Sequence, residues 1–161
     1  MTVLVPMRPE VFADVMTASI AAYASDNVAA GRWPQAGALE RSRAEFQSEL
    51  PQGLATPDNH LFEIRATADG PAVGHLWFAV QSQHGQRTAF VYDVEVQPEH
   101  RRHGHARRAF EALESLAGEL GVDSIGLHVF GFNAAAQALY AALGYTVTGI
   151  NMNKPVRRPA G

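Results

Sequence analysis

The fold is decided by the stretch Val94-Glu95-Val96-Gln97-Pro98-Glu99-His100-Arg101-Arg102-His103-Gly104-His105-Ala106, which lies at the centre of residues 90–120. A β-rich run ends at Pro98, a short basic loop follows, and an amphipathic helix begins near Gly104. The first N–H groups of a helix have no partner within it, and the helix dipole places partial positive charge there. Because Gly104 lacks a side chain, a phosphate can approach the main chain. This order of strand, basic loop and helix start predicts an anion site built from backbone.

The helix that follows is predicted by the spacing of its apolar residues. Residues at three-and-four spacing form one buried face, and here they are Ala106, Ala109, Phe110, Leu113, Ala117 and Leu120. Gly121 is well placed to end the helix.

A second informative block is Leu127-His128-Val129-Phe130-Gly131-Phe132-Asn133-Ala134-Ala135-Ala136-Gln137-Ala138-Leu139-Tyr140-Ala141-Ala142-Leu143-Gly144-Tyr145. It resembles the strand, Asn, helix, Leu-Tyr and Gly-aromatic segment of the GNAT superfamily of N-acetyltransferases. The loop Arg101-Arg102-His103-Gly104-His105-Ala106 is similar to the acetyl-CoA signature of that family, (Gln/Arg)-x-x-Gly-x-(Gly/Ala). The two blocks occur in the order and spacing of the family and cover roughly the C-terminal half.

Composition restricts the class of protein. The chain has 161 residues, of which 47% are hydrophobic and 18% charged, as expected for a globular domain. We expect one domain over residues 1–161, with 154–161 as a loose tail. The net charge of −3 disfavours wholesale binding of nucleic acid, and the lack of cysteine excludes disulfides and a thiol nucleophile. Without a signal peptide or an apolar run near the ~20 residues that span a bilayer, a soluble, cytoplasmic protein is expected.

Hydrophobic periodicity predicts the element order β-α-α-β-β-β-α-β-α-β, an α/β mixed sheet with helices on both faces. Phe12, Val15, Met16, Ile20 and Tyr23 mark the first helix, which we expect to end before the Asp26-Asn27 pair. A strand is predicted over residues 124–130, and a last strand contains Tyr145, Val147 and Ile150. The resemblance implies a GNAT-like fold: a six- to seven-stranded, mostly antiparallel sheet whose central strands splay apart, so that the pantetheine arm of acetyl-CoA enters the gap.

The resemblance also implies which residues contact acetyl-CoA as co-substrate. The backbone of Val94, Glu95 and Val96 would pair with the pantetheine amides, and residues 101–106 would hold the pyrophosphate. Asn133 would cap its helix and contact the coenzyme arm. The predicted cofactor-binding set is Val94, Glu95, Val96, Arg101, Arg102, His103, Gly104, His105, Ala106, Asn133 and Tyr140.

Catalysis of amine acetylation needs a proton donor for the leaving thiolate and a path that removes the proton of the amine. Tyr140 lies seven residues after Asn133, about two helical turns, so both project from one face. The resemblance implies that Tyr140 is the donor. For the base, Asp93 and Glu95 alternate onto the face of their strand opposite Tyr92, and His128 lies where some relatives carry a Glu. We rank Glu95 first, then Asp93 and His128.

The acceptor side is less well defined. Trp33, His75 and Trp77 are candidate substrate-binding residues, and no motif names the amine. A small molecule, a peptide terminus and a lysine side chain all remain open as acceptors. The sequence also leaves a homodimer open.

The favoured function is transfer of an acetyl group from acetyl-CoA to a primary amine by direct attack in a ternary complex. A non-catalytic acyl-CoA-binding or sensing domain is the alternative. A nucleic-acid site on the basic loop, a zinc site formed by His100, His103 and His105, and a dinucleotide fold are weaker alternatives. We therefore expect no metal, no nucleic acid and no membrane as partners.

Overall fold

The computed structural model describes residues 2–160, and a five-stranded sheet with the order β1-β2-β3-β4-β5 lies at its centre. The strands are β1 (Val3–Pro6), β2 (Asn59–Arg65), β3 (Ala72–Gln83), β4 (Gln86–Val96) and β5 (Ser124–Leu127). The helices are α1 (Pro9–Ala29), α2 (Ala38–Glu49), α3 (His105–Glu119) and α4 (Ala134–Ala142). Strands β1 to β4 pair antiparallel, whereas β4 and β5 are parallel.

Each face of the sheet is covered by helices. On one face, the strands pack against α3 in a buried cluster of Ile64, Val73, Leu76, Phe78, Ala89, Val91, Val96, Ala109, Phe110 and Leu113. Tyr140 of α4 and Leu143, the residue that follows the helix, pack against the same cluster. On the other face, α1 and α2 cover a second cluster of Met7, Phe46, Leu50, Leu61 and Trp77. The predicted mixed sheet with helices on both faces is confirmed.

Strand β4 changes its neighbours halfway along its length. Its pairing with β5 begins at Thr88 and ends at Val91, opposite Leu127, although β4 continues to Val96 beside β3. At this point Trp77 of β3 is opposite Asp93 and Phe78 is opposite Val91, so Tyr92 is an extra residue in a β-bulge. A bulge bends its strand and increases the local twist. The two parallel strands therefore part after Val91, as the predicted splayed sheet requires.

Two sequence expectations about the ends of elements are wrong. The first helix continues past Asp26 to Ala29. Asn27 is fully buried there because its side-chain amide donates to the Tyr23 carbonyl and accepts from Arg32. Asparagine is unfavourable inside most helices because its side chain forms hydrogen bonds that compete with those of the helix backbone. Here the two bonds of Asn27 satisfy its side chain within the helical conformation. The predicted strand over residues 124–130 ends at Leu127, where its pairing with β4 stops.

The predicted strand with Tyr145, Val147 and Ile150 does not form, so the described sheet has five strands rather than six or seven. Residues 146–160 have neither helical nor strand structure and are exposed. A strand requires backbone hydrogen bonds to a neighbour, and this segment has none from the described sheet.

None of the helices in residues 2–160 is both long and apolar enough to cross a membrane.

Gly74 allows β3 and β4 to approach closely opposite the end of β4. A Cβ added at Gly74 would collide with the Glu95 carbonyl oxygen and lie 3.0 Å from the Val96 Cα. Backbone atoms of a paired strand cannot move aside, so we expect Gly74→Ala to lower the free energy of unfolding by roughly 1–3 kcal/mol. Urea denaturation of the purified variant measures this change.

Gly118→Ala is the matched control, because Gly118 lies in α3 and an added Cβ would have no neighbour within 4 Å. Alanine favours helix over glycine by about 0.5–1 kcal/mol, so this variant should be as stable as the parent or slightly more stable. Equal destabilisation by the two substitutions would contradict the account of Gly74.

Candidate active site

Two cavities lie beside β4, one where β4 and β5 part and the other at the end of β4. The first, the cleft cavity, has a volume of about 400 Å³ and is formed by α1, α2, the ends of β4 and β5, and α4. Its polar and aromatic lining includes Ser19, Tyr23, Asp26, Arg32, Glu45, Phe46, Glu49, Trp77, Tyr92, Asp93, His128, Phe130, Asn133, Tyr140 and Asn151. The second, the loop cavity, has a volume of about 350 Å³ and is lined by Val96, His100, Arg101, Arg102, Gly104, His105, Ala106, Arg107, Ala135 and Leu139.

The loop cavity is built around the start of α3. Gly104 is the N-cap residue, with φ of +78°, and no side chain caps the helix. Arg102 also has a positive φ, of +65°. Left-handed residues turn successive N–H groups to one side, and the free N–H groups at a helix start favour an anion. The geometry of residues 101–106 therefore suits a phosphate.

Hydrogen bonds hold this loop in place from both sides. Arg101 Nε donates to the Val96 carbonyl at 2.8 Å, which ties the loop to the end of β4. Arg108 Nε donates to Thr2 Oγ1 at 2.8 Å, and Arg108 Nη2 donates to the His103 carbonyl. A loop tied in this way is organised before a ligand arrives, which lowers the entropic cost of binding.

Cationic groups lie close to His105 at the start of α3. Burial and the neighbouring Arg108, His103 and His100 lower the pKa of His105. Cations that lower the pKa of a neighbouring histidine also stabilise a bound anion.

A chain of polar groups joins Asp93 and Ser19 of the cleft cavity through the buried His75. Asp93 Oδ2 accepts from His75 Nε2 at 2.8 Å, and Ser19 Oγ lies 3.3 Å from the same nitrogen. Burial lowers the pKa of His75, but the hydrogen bond and charge of Asp93, together with the charge of Glu95, outweigh it and raise the pKa above its ordinary value. This favours a charged imidazole paired with Asp93.

A second carboxyl lies near Asp93. Burial and the negative charge of Asp93 raise the pKa of Asp26, which also lines the cleft cavity. Two carboxylates that repel each other are stabilised by a cation placed between them.

His128, Asn133 and Tyr140 line the same cavity from β5 and α4. Burial and the charge of Arg32 lower the pKa of His128, so its imidazole is neutral at pH 7. Asn133 caps α4 as predicted, because its Oδ1 accepts from the Ala136 N–H at 3.2 Å. Burial raises the pKa of the Tyr140 phenol, which therefore keeps its proton at neutral pH.

Of the remaining predicted residues, Val94 lines the cleft cavity and Val96 lines the loop cavity. Four others lie outside both linings: Trp33, His75, Glu95 and His103. The Glu95 side chain is 41% exposed and lies 3.8 Å from Arg101 Nη2. His103 is exposed on the loop, and His75 lies buried behind Asp93. Trp33 packs edge-on against Tyr23, which itself lines the cleft cavity, at 5.4 Å between ring centroids. Of the three predicted acceptor-side residues, Trp77 is the one in the lining.

One prediction about β4 is wrong. Simple alternation places Tyr92 on the face opposite Asp93, yet Tyr92 stacks on Trp77 at 4.7 Å and its hydroxyl donates to Glu49. The bulge explains the difference, because the extra residue in the strand puts Tyr92 and Asp93 on the same face.

Several lining residues were not identified from the sequence. A signal was present in the helices, where polar residues recur at three- and four-residue spacing on the faces towards the sheet. They are Ser19 and Tyr23 on α1, and Glu45 and Glu49 on α2.

The histidines of the basic loop do not assemble into a metal site in this structure. The rings of His103 and His105 are 6.2 Å apart, and His105 Nδ1 lies 3.0 Å from Thr2 Oγ1. No group of three or more potential His, Asp or Glu ligands comes together in residues 2–160.

Comparison with known proteins agrees with this architecture. Residues 25–145 match the Acetyltransferase (GNAT) family. The chain is 36% identical to the uncharacterized N-acetyltransferase YycN of Bacillus subtilis, over 94% of this chain and 96% of that one. It is 32% identical to the uncharacterized N-acetyltransferase YdgE of the same organism, over 92% of this chain and 94% of that one.

Solved structures share the fold. The crystal structure of YycN superposes with a TM-score of 0.92 at 34% identity, covering 98% of this chain and 100% of that chain. AAC(6')-Iy, solved in complex with the bisubstrate analog CoA-S-monomethyl-acetylneamine, superposes with a TM-score of 0.59 at 16% identity, covering 98% and 99% of the two chains. Since the family match spans most of the chain and two relatives exceed 30% identity over nearly all of it, the protein belongs to the GNAT family of acetyltransferases.

Proposed function

We propose that the protein transfers an acetyl group from acetyl-CoA to a primary amine by direct attack in a ternary complex. The observation that carries the proposal is the parting of β4 from β5 after Val91 and Leu127, with a polar cavity at this point and a cavity lined by a basic loop at the end of β4. A substrate with a diphosphate at one end and a thioester at the other fits this arrangement. The GNAT family uses acetyl-CoA, which has both of these groups, and this supports acetyl-CoA as the acetyl donor here.

The loop cavity would hold the diphosphate. The N–H groups at the start of α3 are free of side-chain caps, and Arg101, Arg102 and Arg107 line the cavity around Gly104. Arginine adds charge-assisted hydrogen bonds to phosphate oxygens. Beyond Val91, β4 no longer pairs with β5. The backbone of Val94, Glu95 and Val96 can therefore pair with the amides of a pantetheine arm.

The cleft cavity would hold the acceptor amine. Asp26, Glu45, Glu49 and Asp93 contribute four carboxyl groups to its lining, against one guanidinium from Arg32. An alkylammonium ion is attracted to such a surface before it loses its proton. Direct attack is favoured because the chain contains no cysteine to carry an acetyl group.

Asp93 and His128 are the groups that we assign to removal of the amine proton. Both line the cleft cavity beyond the point of parting, and the neutral imidazole of His128 has a free site for a proton. His75 would act as a positioning residue that holds Asp93 through the 2.8 Å hydrogen bond. Glu95 ranked first on the sequence, but its exposed position beside Arg101 makes it a weaker candidate than these two.

Tyr140 is our candidate for the proton donor to the leaving thiolate. Its ring packs against Phe110 and Tyr145 with centroid distances of 5.2 and 5.7 Å, which holds it at the wall of the cleft cavity. A phenol that keeps its proton at neutral pH can stabilise a thiolate by donation. Asn133, one residue of the same wall, would contact the coenzyme arm.

An assay with acetyl-CoA and a panel of primary amines tests the function and its anion site together. Because the chain lacks cysteine, a thiol reagent reports released coenzyme A without background from the protein. We expect Gly104→Ala to weaken acetyl-CoA binding at least about tenfold, since a Cβ there takes the space of the phosphate and lies 2.6 Å from Arg108 Nη1.

Gly121→Ala is the control for backbone strain. Gly121 has a φ of +69°, close to that of Gly104, but an added Cβ would be 3.7 Å from Arg87 Nη1 and outside both cavities. Its acetyl-CoA affinity should match that of the parent protein. Equal loss of affinity in both variants would contradict the anion site. Coenzyme binding without transfer to any amine would favour the non-catalytic alternative.

Tyr140→Phe tests the proton donor. We expect turnover to fall roughly 100-fold, within the usual range for loss of a general acid, while acetyl-CoA affinity changes little. Steady-state kinetics and calorimetry measure the two quantities separately.

Tyr145→Phe is the matched control, because Tyr145 belongs to the same aromatic group but lies outside the lining of the cleft cavity. Burial, with Glu114 and Tyr140 nearby, raises the pKa of Tyr145 to about 12, so both phenols are protonated at neutral pH. Turnover of this variant should stay near that of the parent. If Tyr140→Phe and Tyr145→Phe have equal turnover, Tyr140 has no part in proton transfer.

A further inference from the structure

The side chain of Thr2 is buried where the first strand of the sheet lies against the start of α3. Thr2 is 6% exposed and directly precedes β1. Arg108 Nε donates to Thr2 Oγ1 at 2.8 Å, and His105 Nδ1 lies 3.0 Å from the same oxygen. One buried hydroxyl therefore contacts two side chains that are about one turn apart on α3.

The chemistry of these groups fixes the direction of each hydrogen bond. A guanidinium only donates, so Thr2 Oγ1 accepts the bond from Arg108. The hydroxyl then has one proton to donate, and a buried donor is nearly always paired. In residues 2–160, His105 Nδ1 is the acceptor within hydrogen-bonding distance of that proton. Arg108, Thr2 and His105 therefore form a directed sequence of bonds, here called the Thr2 relay, in which Arg108 donates to Thr2 and Thr2 donates to His105.

An accepting Nδ1 determines the tautomer of His105. In a neutral imidazole one nitrogen accepts while the other carries the proton, so the relay places the proton on Nε2. Burial and the charges of Arg108, His103 and His100 lower the pKa of His105, which agrees with a neutral ring. Within the part of the chain that the structure describes, Nε2 forms no hydrogen bond, so its N–H group is available to a ligand.

This donor belongs to the wall of the loop cavity. His105 is the first residue of α3 and lines the cavity that holds the diphosphate in the proposed function. Arg108 lies outside that lining, but its Nη2 donates to the His103 carbonyl, and its Nη1 would lie 2.6 Å from a Cβ at Gly104. The same guanidinium therefore holds the backbone before the helix and, through Thr2, the ring of His105.

We propose that Thr2 and Arg108 are positioning residues for acetyl-CoA, which hold the His105 ring so that its Nε2–H donates to a phosphate of the coenzyme. The inference rests on the proposed function, because that function makes acetyl-CoA the ligand of the loop cavity. Neither Thr2 nor Arg108 touches the coenzyme, and each acts through His105 or the loop backbone. A donor whose ring and tautomer are fixed before binding loses little freedom when a phosphate arrives, which favours affinity.

Thr2→Val tests the relay because it removes the hydroxyl and keeps the shape of the side chain. Without that hydroxyl the His105 ring can turn and change tautomer. We therefore expect the dissociation constant of acetyl-CoA to rise about tenfold, the effect of losing one hydrogen bond to a charged group. Turnover at saturating acetyl-CoA should stay within about twofold of the parent, because the reacting groups lie in the cleft cavity. Calorimetry on the untagged chain measures the affinity, and steady-state kinetics measure turnover.

Two matched variants separate the hydroxyl from the packing of Thr2. Thr2→Ser keeps the hydroxyl and should bind acetyl-CoA like the parent. Thr17→Val makes the same chemical change on the exposed side of α1, where the hydroxyl donates to the Ala13 carbonyl of its own helix. Its affinity for acetyl-CoA should also be that of the parent. Equal affinity in Thr2→Val and the parent, or equal loss in Thr2→Val and Thr2→Ser, would overturn the proposal.

The tautomer of His105 gives a measurement that a purely structural role of Thr2 would not change. Nitrogen NMR of the ligand-free parent at neutral pH should show the His105 proton on Nε2, with the signal assigned from a His105→Asn variant. In Thr2→Val the same ring should populate both tautomers. A parent protein with the proton on Nδ1 would overturn the relay. Because affinity is measured without transfer, a parent that binds acetyl-CoA but acetylates no amine contradicts the proposed function alone, whereas one that does not bind acetyl-CoA overturns both.

Discussion

The parting of β4 from β5 is the constraint on which the rest of the structure depends. The two strands share a parallel ladder to Val91 and Leu127, and beyond it β4 pairs with β3 alone. The bulge at Tyr92 lies at the same position, so one extra residue both bends the strand and reorients its side chains. Because the strands part, the backbone of β4 is accessible on one side. Because of the bulge, Tyr92 and Asp93 both face the cleft cavity.

The loop before α3 and the cleft cavity, at the two ends of this opening, are lined by groups of opposite charge. The loop before α3 combines free helix N–H groups with arginines around Gly104. The cleft cavity contributes carboxyl groups, among which Asp93 is held by a buried histidine. In the proposed function, an anionic coenzyme and a cationic amine would be drawn to opposite ends, and their reacting groups would meet where the strands part.

Features set by local chemistry were predictable from the sequence, whereas features set by tertiary geometry were not. Gly104 at the start of α3 and Asn133 at the start of α4 follow from backbone requirements of helix ends, and both are found as predicted. The bulge at Tyr92 leaves no local signal, and simple alternation placed that residue on the wrong face. The missing last strand depends on a pairing partner, which the residues of the segment itself do not reveal.

The account is tested most directly by determining the structure of the protein with coenzyme A bound. We expect the diphosphate within hydrogen-bonding distance of the N–H groups around Gly104, and the pantetheine arm beside Val94 and Val96 in the gap between β4 and β5. Coenzyme A bound away from Gly104, or β4 and β5 paired along their whole length in the complex, would contradict the central claim.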